Sequence, residues 1–418
     1  MSRIDATWLR VESPATPFVI HGMFRVEGPA SPGELIELMR ERLPRLRRLR
    51  QRAVDGAPRA GGWWHGEARW IDDPDFSFDR HVRLHPYIEE AEFPEMVNRI
   101  QPQPLDFRGP PWEVHVFPLT SGAVRFLLRF HHCIGDGAAM GRVLRQMCDG
   151  APEVIPMHTV APDRRPAVLR WADILVRRPL ALLRMVLLTR ADPEMYRGPP
   201  GPDKPGAWTP ALPLDPVMRM RERSGATVNE ILTAVVCEAL RRDALSRGRD
   251  PARAVIRATV PVNLRRADEQ EGLGNRFGLV YLRLPLDGMD FDERLALVRR
   301  RMLSRKRAQQ GQAFLETLRR FGTFGPRLHR WMVGLLTSKS SLVLTHVRGP
   351  DEPVRAGGRQ LTEVSFFAPQ SGSIGLSISL LTYAGTVTIG VQADARCHPD
   401  PGALARRCAE VFRETLGA

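Results

Sequence analysis

The stretch RFHHCIGDG, residues 129–137, is the point from which the fold of this chain can be worked out. Before it, residues 123–130 alternate apolar and charged side chains, which predicts a half-buried strand. After it, apolar residues recur at helical spacing, and Asp136 is placed to cap that helix. His131 and His132 therefore lie at the end of a strand, on a tight loop whose glycines tolerate backbone angles that other residues avoid. Such a loop holds an imidazole rigidly, facing a cavity.

The histidine loop is compatible with three interpretations. A histidine of near-neutral pKa can act as a general base, because an alcohol is a poor nucleophile until its proton is removed. Two histidines and Asp136 could instead bind a metal, although adjacent histidines at a strand end point apart. The third interpretation is a histidine pair of the core without chemistry. The glycines, the aspartate and the loop placement together favour the general base.

Nucleophilic catalysis by serine or cysteine is disfavoured. The chain contains no Gly-x-Ser-x-Gly elbow, and strand alternation points Cys133 away from His132. The five cysteines form no CxxC pair and so predict neither a zinc site nor a disulfide framework, as expected for a reducing cytoplasm. The N-terminus lacks the apolar segment of a secretory signal, which agrees with a cytoplasmic location.

The composition predicts a soluble globular protein of two domains, since 43% of its 418 residues are hydrophobic and 26% are charged. The formal net charge is +14, and arginine supplies nearly all of the positive charge along the whole chain. No nucleic-acid motif accompanies this charge, so we expect no nucleic-acid partner. An anionic membrane surface, or an anionic substrate such as a coenzyme A thioester, is compatible with it.

Two apolar stretches resemble membrane segments at first sight. Residues 171–189 mix leucine and valine with arginine around Pro179, and they are too short and too charged to span a bilayer. They either lie on a membrane surface with the arginines toward lipid phosphates or pack on the protein itself. Residues 364–393 carry no charge, but their alternation of apolar and small side chains predicts a buried hairpin.

Other elements follow from capping residues and periodicity. Ser31 and Glu34 form a capping-box pattern at a helix start, and Thr227 begins a second helix. Further strands and helices are predicted at residues 18–26, 254–262, 279–284, 291–309 and 399–415.

The segment HHCIGDG resembles the HHxxxDG motif of the bacterial wax ester synthase/diacylglycerol acyltransferase (WS/DGAT) family, within the chloramphenicol-acetyltransferase-like superfamily of CoA-dependent acyltransferases. Peptide-synthetase condensation domains share that motif, so the resemblance to this family depends on further stretches. These are DATWL (5–9), FDRHVR (78–83), PLD to PPWE (104–113), TVNEIL (227–232), PVNLR (261–265), GN (274–275) and residues 372–394. The resemblance extends over almost the whole chain.

This resemblance implies an α/β (α+β) fold of two chloramphenicol-acetyltransferase-like domains, each a mixed β-sheet flanked by helices. The N-terminal acyltransferase domain would span residues 1–155, and the C-terminal domain would span residues 209–418. Residues 156–208 would form a crossover linker that carries the amphipathic basic helix. An active-site tunnel would run between the domains, past His132.

The resemblance also implies an activity and the roles of residues. The family transfers a fatty acyl group from acyl-CoA to a long-chain alcohol or diacylglycerol, without an acyl-enzyme. His132 would be the general base, His131 its positioner, and Asp136 a structural partner of Arg265. Supporting positions would be Gly135, Gly137, Asn229, Asn275 and Trp112. No metal or cofactor is implied, and the insoluble products imply peripheral binding to the inner membrane face or to lipid inclusions.

Two alternatives stay open on the sequence. One is a stand-alone condensation-type enzyme that uses a carrier-protein thioester, and the other is a non-catalytic lipid-binding relative. The chain also departs from the family pattern at Glu230, Pro111, His346 and Arg348, where the family has aspartate, leucine, asparagine and proline. The sequence leaves the acceptor alcohol, the acyl-chain preference and the oligomeric state undetermined.

Overall fold

The computed structural model describes residues 1–59, 63–150, 171–192, 195–265, 272–307, 309–321 and 324–417. The helices are α1 (Arg3–Val11), α2 (Pro32–Arg42), α3 (Phe93–Ile100), α4 (Gly137–Gln146), α5 (Arg178–Val186), α6 (Asp215–Ser224), α7 (Val228–Ser246), α8 (Phe291–Arg307), α9 (Gln310–Phe321), α10 (Pro326–Thr337) and α11 (Pro401–Leu416). The expected linker lies partly outside the described residues, which do not include 156–170.

The strands form two large sheets and two small two-stranded ones. They are β1 (Val19–Val26), β2 (Gln51–Val54), β3 (Pro58–Arg59), β4 (Trp64–His65), β5 (Arg69–Asp72), β6 (Val82–Leu84), β7 (Trp112–Pro118), β8 (Val124–His131), β9 (Gly206–Trp208), β10 (Leu212–Pro213), β11 (Arg257–Asn263), β12 (Phe277–Arg283), β13 (Leu342–Arg348), β14 (Arg355–Ala356), β15 (Arg359–Phe367), β16 (Leu376–Tyr383) and β17 (Thr386–Ala393). Helices flank both large sheets, which confirms the expected fold class.

The first sheet has the strand order β14-β15-β1-β8-β7-β6, and β8 is the strand predicted before the histidine loop. It is buried on both faces, so the prediction of a half-buried strand is wrong. Its two arginines are neutralised by carboxylates, because Arg129 pairs with Glu113 while Arg125 pairs with Glu90 and Glu363. A charged residue in the pattern therefore does not mark a solvent-facing position here.

The second sheet has the strand order β10-β17-β16-β13-β11-β12, with β9 beside β17. Its hairpin β16–β17 confirms the hairpin predicted within residues 364–393. β13 pairs in parallel with β16 from Leu342 to Arg348, and it pairs with β11 at Leu342 and Val343. β11 and β13 diverge beyond these two residues, and residues from the diverging parts line the cavity described below.

One strand crosses between the two halves of the chain. β15 pairs antiparallel with β1, with Phe367 opposite His21 and Leu361 opposite Val26. The segment assigned to the C-terminal domain, 209–418, thus contributes β14 and β15 to the first sheet. β1 has β8 on one side, so its other edge needs a hydrogen-bonding partner, which β15 supplies. The alternation of a strand does not specify which sheet it joins.

Both predicted N-caps are present, but the full capping box forms only at Thr227, because Ser31 makes one of the two bonds of that pattern. Ser31 Oγ accepts from the Glu34 backbone N–H at 3.3 Å at the start of α2. At the start of α7, Thr227 Oγ1 accepts from the Glu230 N–H at 3.3 Å, and Glu230 Oε2 accepts from the Thr227 N–H at 2.8 Å. The departure at Glu230 therefore completes a capping box.

The N-terminal helix α1 is not expected from the periodicity of the sequence. Its buried face includes Asp5, Thr7 and Arg10, and these polar residues break the apolar pattern of an amphipathic helix. The ends of other elements shift by a few residues, as for the strand predicted at 254–262, which is observed as β11.

The amphipathic segment forms a continuous helix over residues 171–186, with a π-helical turn leading into α5. Ala181 and Met185 are buried, and α5 packs on α9, where Arg178 pairs with Glu316. The apolar side chains exposed along this segment are Trp171, Ile174, Leu175, Val176, Leu180, Leu183, Val186 and Leu187. One face of this helix is buried against the protein, and the rest of its surface exposes apolar side chains. Among the described residues, no helix has the length and apolar character needed to cross a membrane.

Candidate active site

A cavity of about 840 Å³ lies between the two large sheets. The first sheet contributes Ile20 and Phe366 to its wall, and the second sheet contributes Thr259 and Thr345. Helices α1, α4, α9 and α10 also line it. Much of the wall is apolar and includes Trp8, Phe277, Leu279, Phe314, Leu318 and Met332. The cavity thus occupies the place expected for a substrate tunnel.

His132 lies on the wall of this cavity, directly after β8. Its backbone N–H donates to the Phe18 carbonyl at 2.7 Å, and its carbonyl accepts from Asn275 Nδ2 at 2.7 Å. The Trp8 ring stacks on the imidazole with 5.0 Å between ring centroids. Nδ1 is buried and has no hydrogen-bond partner within the described part of the chain.

The environment of His132 keeps its ring neutral. Burial lowers the pKa of His132 to about 4, against smaller effects of its own backbone carbonyl and of the Asp136 charge, which raise that pKa. At neutral pH the imidazole is therefore unprotonated. A neutral imidazole has one unprotonated ring nitrogen, and on the wall of an apolar cavity that nitrogen can accept a proton from a bound hydroxyl group.

His131 occupies a different environment from its neighbour. Its side chain is fully buried, and its Nδ1 accepts from the Cys133 backbone N–H at 3.2 Å. Nε2 therefore carries the ring proton, and it lies 2.9 Å from Glu12 Oε2. The Phe107 ring meets the imidazole edge-on. His131 is not among the residues that line the cavity, so the structure separates the two histidine rings rather than bringing them together.

This separation argues against the metal interpretation of the histidine pair. The ring of His131 is directed at Glu12, whereas the ring of His132 stacks on Trp8. Over the residues that the structure describes, no group of three or more His, Cys, Asp or Glu side chains is arranged to hold a metal ion.

Asp136 joins the two halves of the chain. It caps α4, where its Oδ1 accepts from the Ala139 N–H at 3.1 Å. Its Oδ2 accepts from Arg265 Nη2 at 3.2 Å and from the Arg276 N–H at 3.1 Å. The Arg265 side chain is 1% exposed, and its Nη2 also donates to the Gly274 carbonyl at 2.8 Å. The expected pair of Asp136 and Arg265 is therefore present, and both residues line the cavity together with His132.

The glycines of the loop are required for close packing. A Cβ on Gly135 would lie 2.3 Å from Ala139 Cβ, and a Cβ on Gly137 would lie 2.7 Å from Val347 Cγ2. Neither glycine has a positive φ, so the expectation that they adopt unusual backbone angles is wrong. Their small size lets α4 and β13 approach the histidine loop.

The other predicted supporting positions are Asn275, Trp112 and Asn229, and only Asn275 contacts His132. Asn275 is buried and holds the His132 carbonyl. Trp112 is buried in β7, where its Nε1–H donates to the Leu49 carbonyl at 2.8 Å, and it is outside the cavity lining. Asn229 lies in the first turn of α7, also outside that lining. The structure thus assigns Trp112 and Asn229 to the scaffold.

Sequence reasoning missed the contribution of α1 to the site. Asp5, Trp8 and Glu12 contact Asn275, His132 and His131 respectively. Asp5 and Trp8 are three residues apart on one face of α1, and Glu12 follows directly after the helix; the spacing of Asp5 and Trp8 is the signal that could have identified them.

Charged residues line another part of the cavity. Arg142 and Arg145 from α4, Arg348 from β13, and the following Asp351 and Glu352 are all lining residues. Two departures from the family pattern therefore lie on the cavity wall, since His346 lines it as well as Arg348.

The departures at His346 and Pro111 lie in different surroundings. Burial, followed by the Arg348 charge, lowers the pKa of His346 to about 4. The Pro111 carbonyl accepts from the His131 N–H at 2.9 Å, so Pro111 supports the end of β8.

Solved structures with this architecture define the class of fold. The first condensation domain of the calcium-dependent antibiotic synthetase aligns with a TM-score of 0.64 at 17% identity, over 100% of this chain and 95% of that one. The wax ester synthase/diacylglycerol acyltransferase from Marinobacter aquaeolei VT8 aligns with a TM-score of 0.69 at 19% identity, over 100% of both chains. Both comparisons show a shared pseudo-two-domain acyltransferase fold.

Sequence comparison identifies the family. The wax ester synthase/diacylglycerol acyltransferase catalytic domain matches residues 1–192, and the WS/DGAT C-terminal domain matches residues 273–415. The chain belongs to the WS/DGAT family. A probable diacylglycerol O-acyltransferase of Mycobacterium tuberculosis is 28% identical over 443 aligned residues, which cover 97% of this chain and 93% of the relative.

Proposed function

We propose that this protein transfers a fatty acyl group from acyl-CoA to the hydroxyl group of a long-chain alcohol or diacylglycerol, with His132 as the general base. The observation that carries this proposal is the neutral His132 ring on the wall of an apolar cavity of about 840 Å³. A cavity of this size can enclose a lipid chain. Membership of the WS/DGAT family and the names of the relatives support the same reaction.

In the proposed reaction the alcohol binds with its O–H directed at His132 Nε2. The alcohol oxygen attacks the thioester carbonyl carbon while Nε2 takes the hydroxyl proton. The tetrahedral intermediate then expels the thiolate of coenzyme A, which receives the proton from the imidazolium. The C–S bond is thus replaced by a C–O bond, the products are an ester and free coenzyme A, and His132 returns to its neutral form.

The charged part of the cavity lining supports a coenzyme A donor. Arg142, Arg145 and Arg348 bring three guanidinium groups to the wall, of which Arg348 pairs with Asp351 at 2.6 Å, and guanidinium groups bind phosphates well. Coenzyme A carries several phosphate charges, whereas a carrier-protein arm carries a single phosphodiester. We therefore favour free acyl-CoA over a carrier-bound thioester, and we expect no cofactor.

A thiol-release assay tests this proposal directly. Purified protein is given palmitoyl-CoA with hexadecanol, with diacylglycerol or with neither acceptor, and the ester product is measured by chromatography. We expect thiol release to depend on an acceptor and to be lost in His132→Ala. Activity only with a carrier-protein thioester would favour the condensation-type alternative. If the unmodified protein and His132→Ala both release almost no thiol but still bind palmitoyl-CoA, a lipid-binding relative is favoured.

We further propose that the protein binds the surface of the inner membrane leaflet or of lipid inclusions. The exposed apolar side chains of residues 171–187 and of Trp331, which is 65% exposed, form what we term the apolar patch. Arg177, Arg184 and Arg190 are exposed on the same segment and can meet lipid phosphates. Trp331 is on α10, a helix that also lines the cavity, so the patch adjoins the proposed site.

Vesicle flotation tests the apolar patch. We expect the protein to float with anionic vesicles and to be released by high salt, because part of the attraction is electrostatic. Leu175→Asp should abolish flotation, since Leu175 is 68% exposed in the patch. Leu84→Asp is the matched control, because Leu84 is 58% exposed on β6 of the first sheet. If both variants float like the unmodified protein, the patch does not bind lipid.

A further inference from the structure

Two residues of helix α1 are connected to His132, one directly and one through Asn275. Trp8 stacks on the imidazole, as described above. One turn earlier on the same helix, Asp5 is 3% exposed, and its Oδ1 accepts from the Asn275 backbone N–H at 3.0 Å and from Asn275 Nδ2 at 2.8 Å. Asn275 Nδ2 also donates to the His132 carbonyl at 2.7 Å. Three segments that are far apart in the sequence therefore meet at one amide group.

The two amide hydrogens of Asn275 have two separate acceptors, which are Asp5 Oδ1 and the His132 carbonyl oxygen. A carboxylate oxygen accepts hydrogen bonds, so Asp5 selects the amide orientation in which Nδ2 points at both acceptors. Asn275 Oδ1 is buried and makes no hydrogen bond of good geometry among the described residues, although the Asn275 side chain has a small raising effect on the pKa of His132. The orientation of Asn275 therefore depends on the acceptors of its hydrogens, and Asp5 is one of the two.

This orientation matters because the backbone of His132 is held on both sides. Its N–H donates to the Phe18 carbonyl at 2.7 Å, and its carbonyl is held by Asn275. If Asn275 lost its orientation, the carbonyl would lose its donor and the peptide after His132 could turn. A displacement of about 1 Å at a reacting group is enough to reduce turnover strongly.

We propose that Asp5 is a positioning residue for the acyl transfer: its carboxylate orients Asn275, and Asn275 holds the His132 backbone so that Nε2 stays directed into the cavity. Asp5 itself is not among the lining residues, whereas Thr7 and Trp8 of the same helix are. Asp5 therefore acts through Asn275 and makes no contact with substrate. This inference depends on the proposed role of His132 as general base.

A double-mutant cycle tests whether Asp5 acts through Asn275. We expect Asp5→Ala and Asn275→Ala each to lower kcat on the order of tenfold, with KM for palmitoyl-CoA changed by less than about twofold. The double variant should be no slower than Asn275→Ala, because Asp5 has nothing left to orient. Independent effects that multiply in the double variant would overturn the proposal.

Arg10→Ala is the matched control on the same helix. The Arg10 guanidinium donates to Asp55 Oδ1 at 2.6 Å and to the Gly66 carbonyl at 2.7 Å, away from the histidine loop. This variant should lose thermal stability and keep its kcat per folded molecule. Asp5→Asn keeps an oxygen acceptor and should recover part of the kcat lost in Asp5→Ala. If Asp5→Ala does not fold, Asp5→Asn and Asn275→Ala are compared instead, and a wild-type kcat in Asp5→Asn together with full activity in Asn275→Ala would contradict the proposal.

An NMR measurement separates this inference from the proposed function. The ring resonances of His132, assigned by comparison with His132→Gln, should shift or broaden in Asp5→Ala and Asn275→Ala but not in Arg10→Ala. Absence of acyltransfer in the unmodified protein, with these shifts present, would refute the general-base proposal and keep the positioning role. Full activity and unchanged resonances in Asp5→Ala would refute the positioning role alone.

Discussion

His131 and His132 are consecutive residues of one type, yet they occupy two different regions of the molecule. The His131 ring is sealed in the N-terminal half between Glu12 and Phe107. The His132 ring faces the cavity between the two sheets and stacks on Trp8. The side chains point apart because β8 ends at His131, so alternation turns the next ring to the other side. The comparison shows that partners and direction, rather than residue type, decide which histidine can do chemistry.

The largest expected effect is the loss of turnover in His132→Ala. Loss of a general base typically costs on the order of 100-fold or more. The measurement is kcat with palmitoyl-CoA and the best acceptor, with circular dichroism to show that the variant is folded. Near-wild-type turnover in a folded His132→Ala would show that His132 is not the general base.

The next largest effect is expected at the Asp136–Arg265 pair, which joins the histidine loop to the second half of the chain. Asp136→Asn should lower both the melting temperature and kcat, because Arg265 would be left buried with a weaker partner. Removing one member of a buried pair costs about 3 kcal/mol or more. Asp136→Ala combined with Arg265→Ala should cost less stability than the sum of the two single variants.

Two results would change this interpretation of the Asp136–Arg265 pair. Strict additivity in the unfolding free energies would mean that the two side chains do not stabilise each other. Loss of activity in Asp136→Asn at unchanged stability would mean that Asp136 orients His132 directly. Either result can be read from chemical denaturation together with kcat.

A smaller loss of activity is expected for substitution of His131, whose side chain is fully buried. His131→Ala leaves the Glu12 carboxylate without its partner 2.9 Å away, so we expect a loss of about 1–3 kcal/mol in stability. The effect on kcat should be clearly smaller than that of His132→Ala, because His131 does not line the cavity. Glu12→Gln is the matched variant, since it keeps a polar group beside Nε2. Equal losses of kcat in His131→Ala and His132→Ala would show that the two rings act as one unit.

The smallest effect is expected in the pH dependence. Because burial lowers the pKa of His132 to about 4, the ring stays unprotonated at neutral and mildly acidic pH. We therefore expect kcat/KM with a water-soluble acceptor to stay flat between about pH 5.5 and 8. An apparent pKa near 6.5 in that profile would show that the Asp136 charge outweighs the burial of the ring.

The same pKa has a consequence for stability. The unfolded chain binds a proton at this histidine below about pH 6.5, whereas the folded protein binds it only below about pH 4. The free energy of unfolding therefore falls as the pH is lowered from about 6.5 to 4. His132→Gln should reduce this slope near pH 5 by on the order of 1 kcal/mol per pH unit. The two proteins differ only at position 132, so the contributions of all other groups cancel in the comparison.

Local signals in the sequence located the histidine loop well. The apolar alternation identified β8, and the capping residues identified the starts of α2, α4 and α7. The pairing of Asp136 with Arg265 was inferred from the family resemblance, and the structure contains it. The contribution of α1 was missed, because buried polar residues such as Asp5 and Arg10 hide the helical pattern. Buried arginines misled the interpretation of β8 in the same way.

Alternation and capping in the sequence located the histidine loop, and the resemblance of its motifs to a known family implied the class of fold, because all of these signals depend on residues close together in the chain. Only the tertiary structure decided that β15 joins the first sheet and that Gly135 and Gly137 are needed for close packing. It alone brought Asp5, Asn275 and His132 into one hydrogen-bonded group. The physical reason is that, apart from the approach of Gly135 to Ala139, these contacts join segments more than a hundred residues apart, where local patterns carry no information about which partner satisfies a buried polar group.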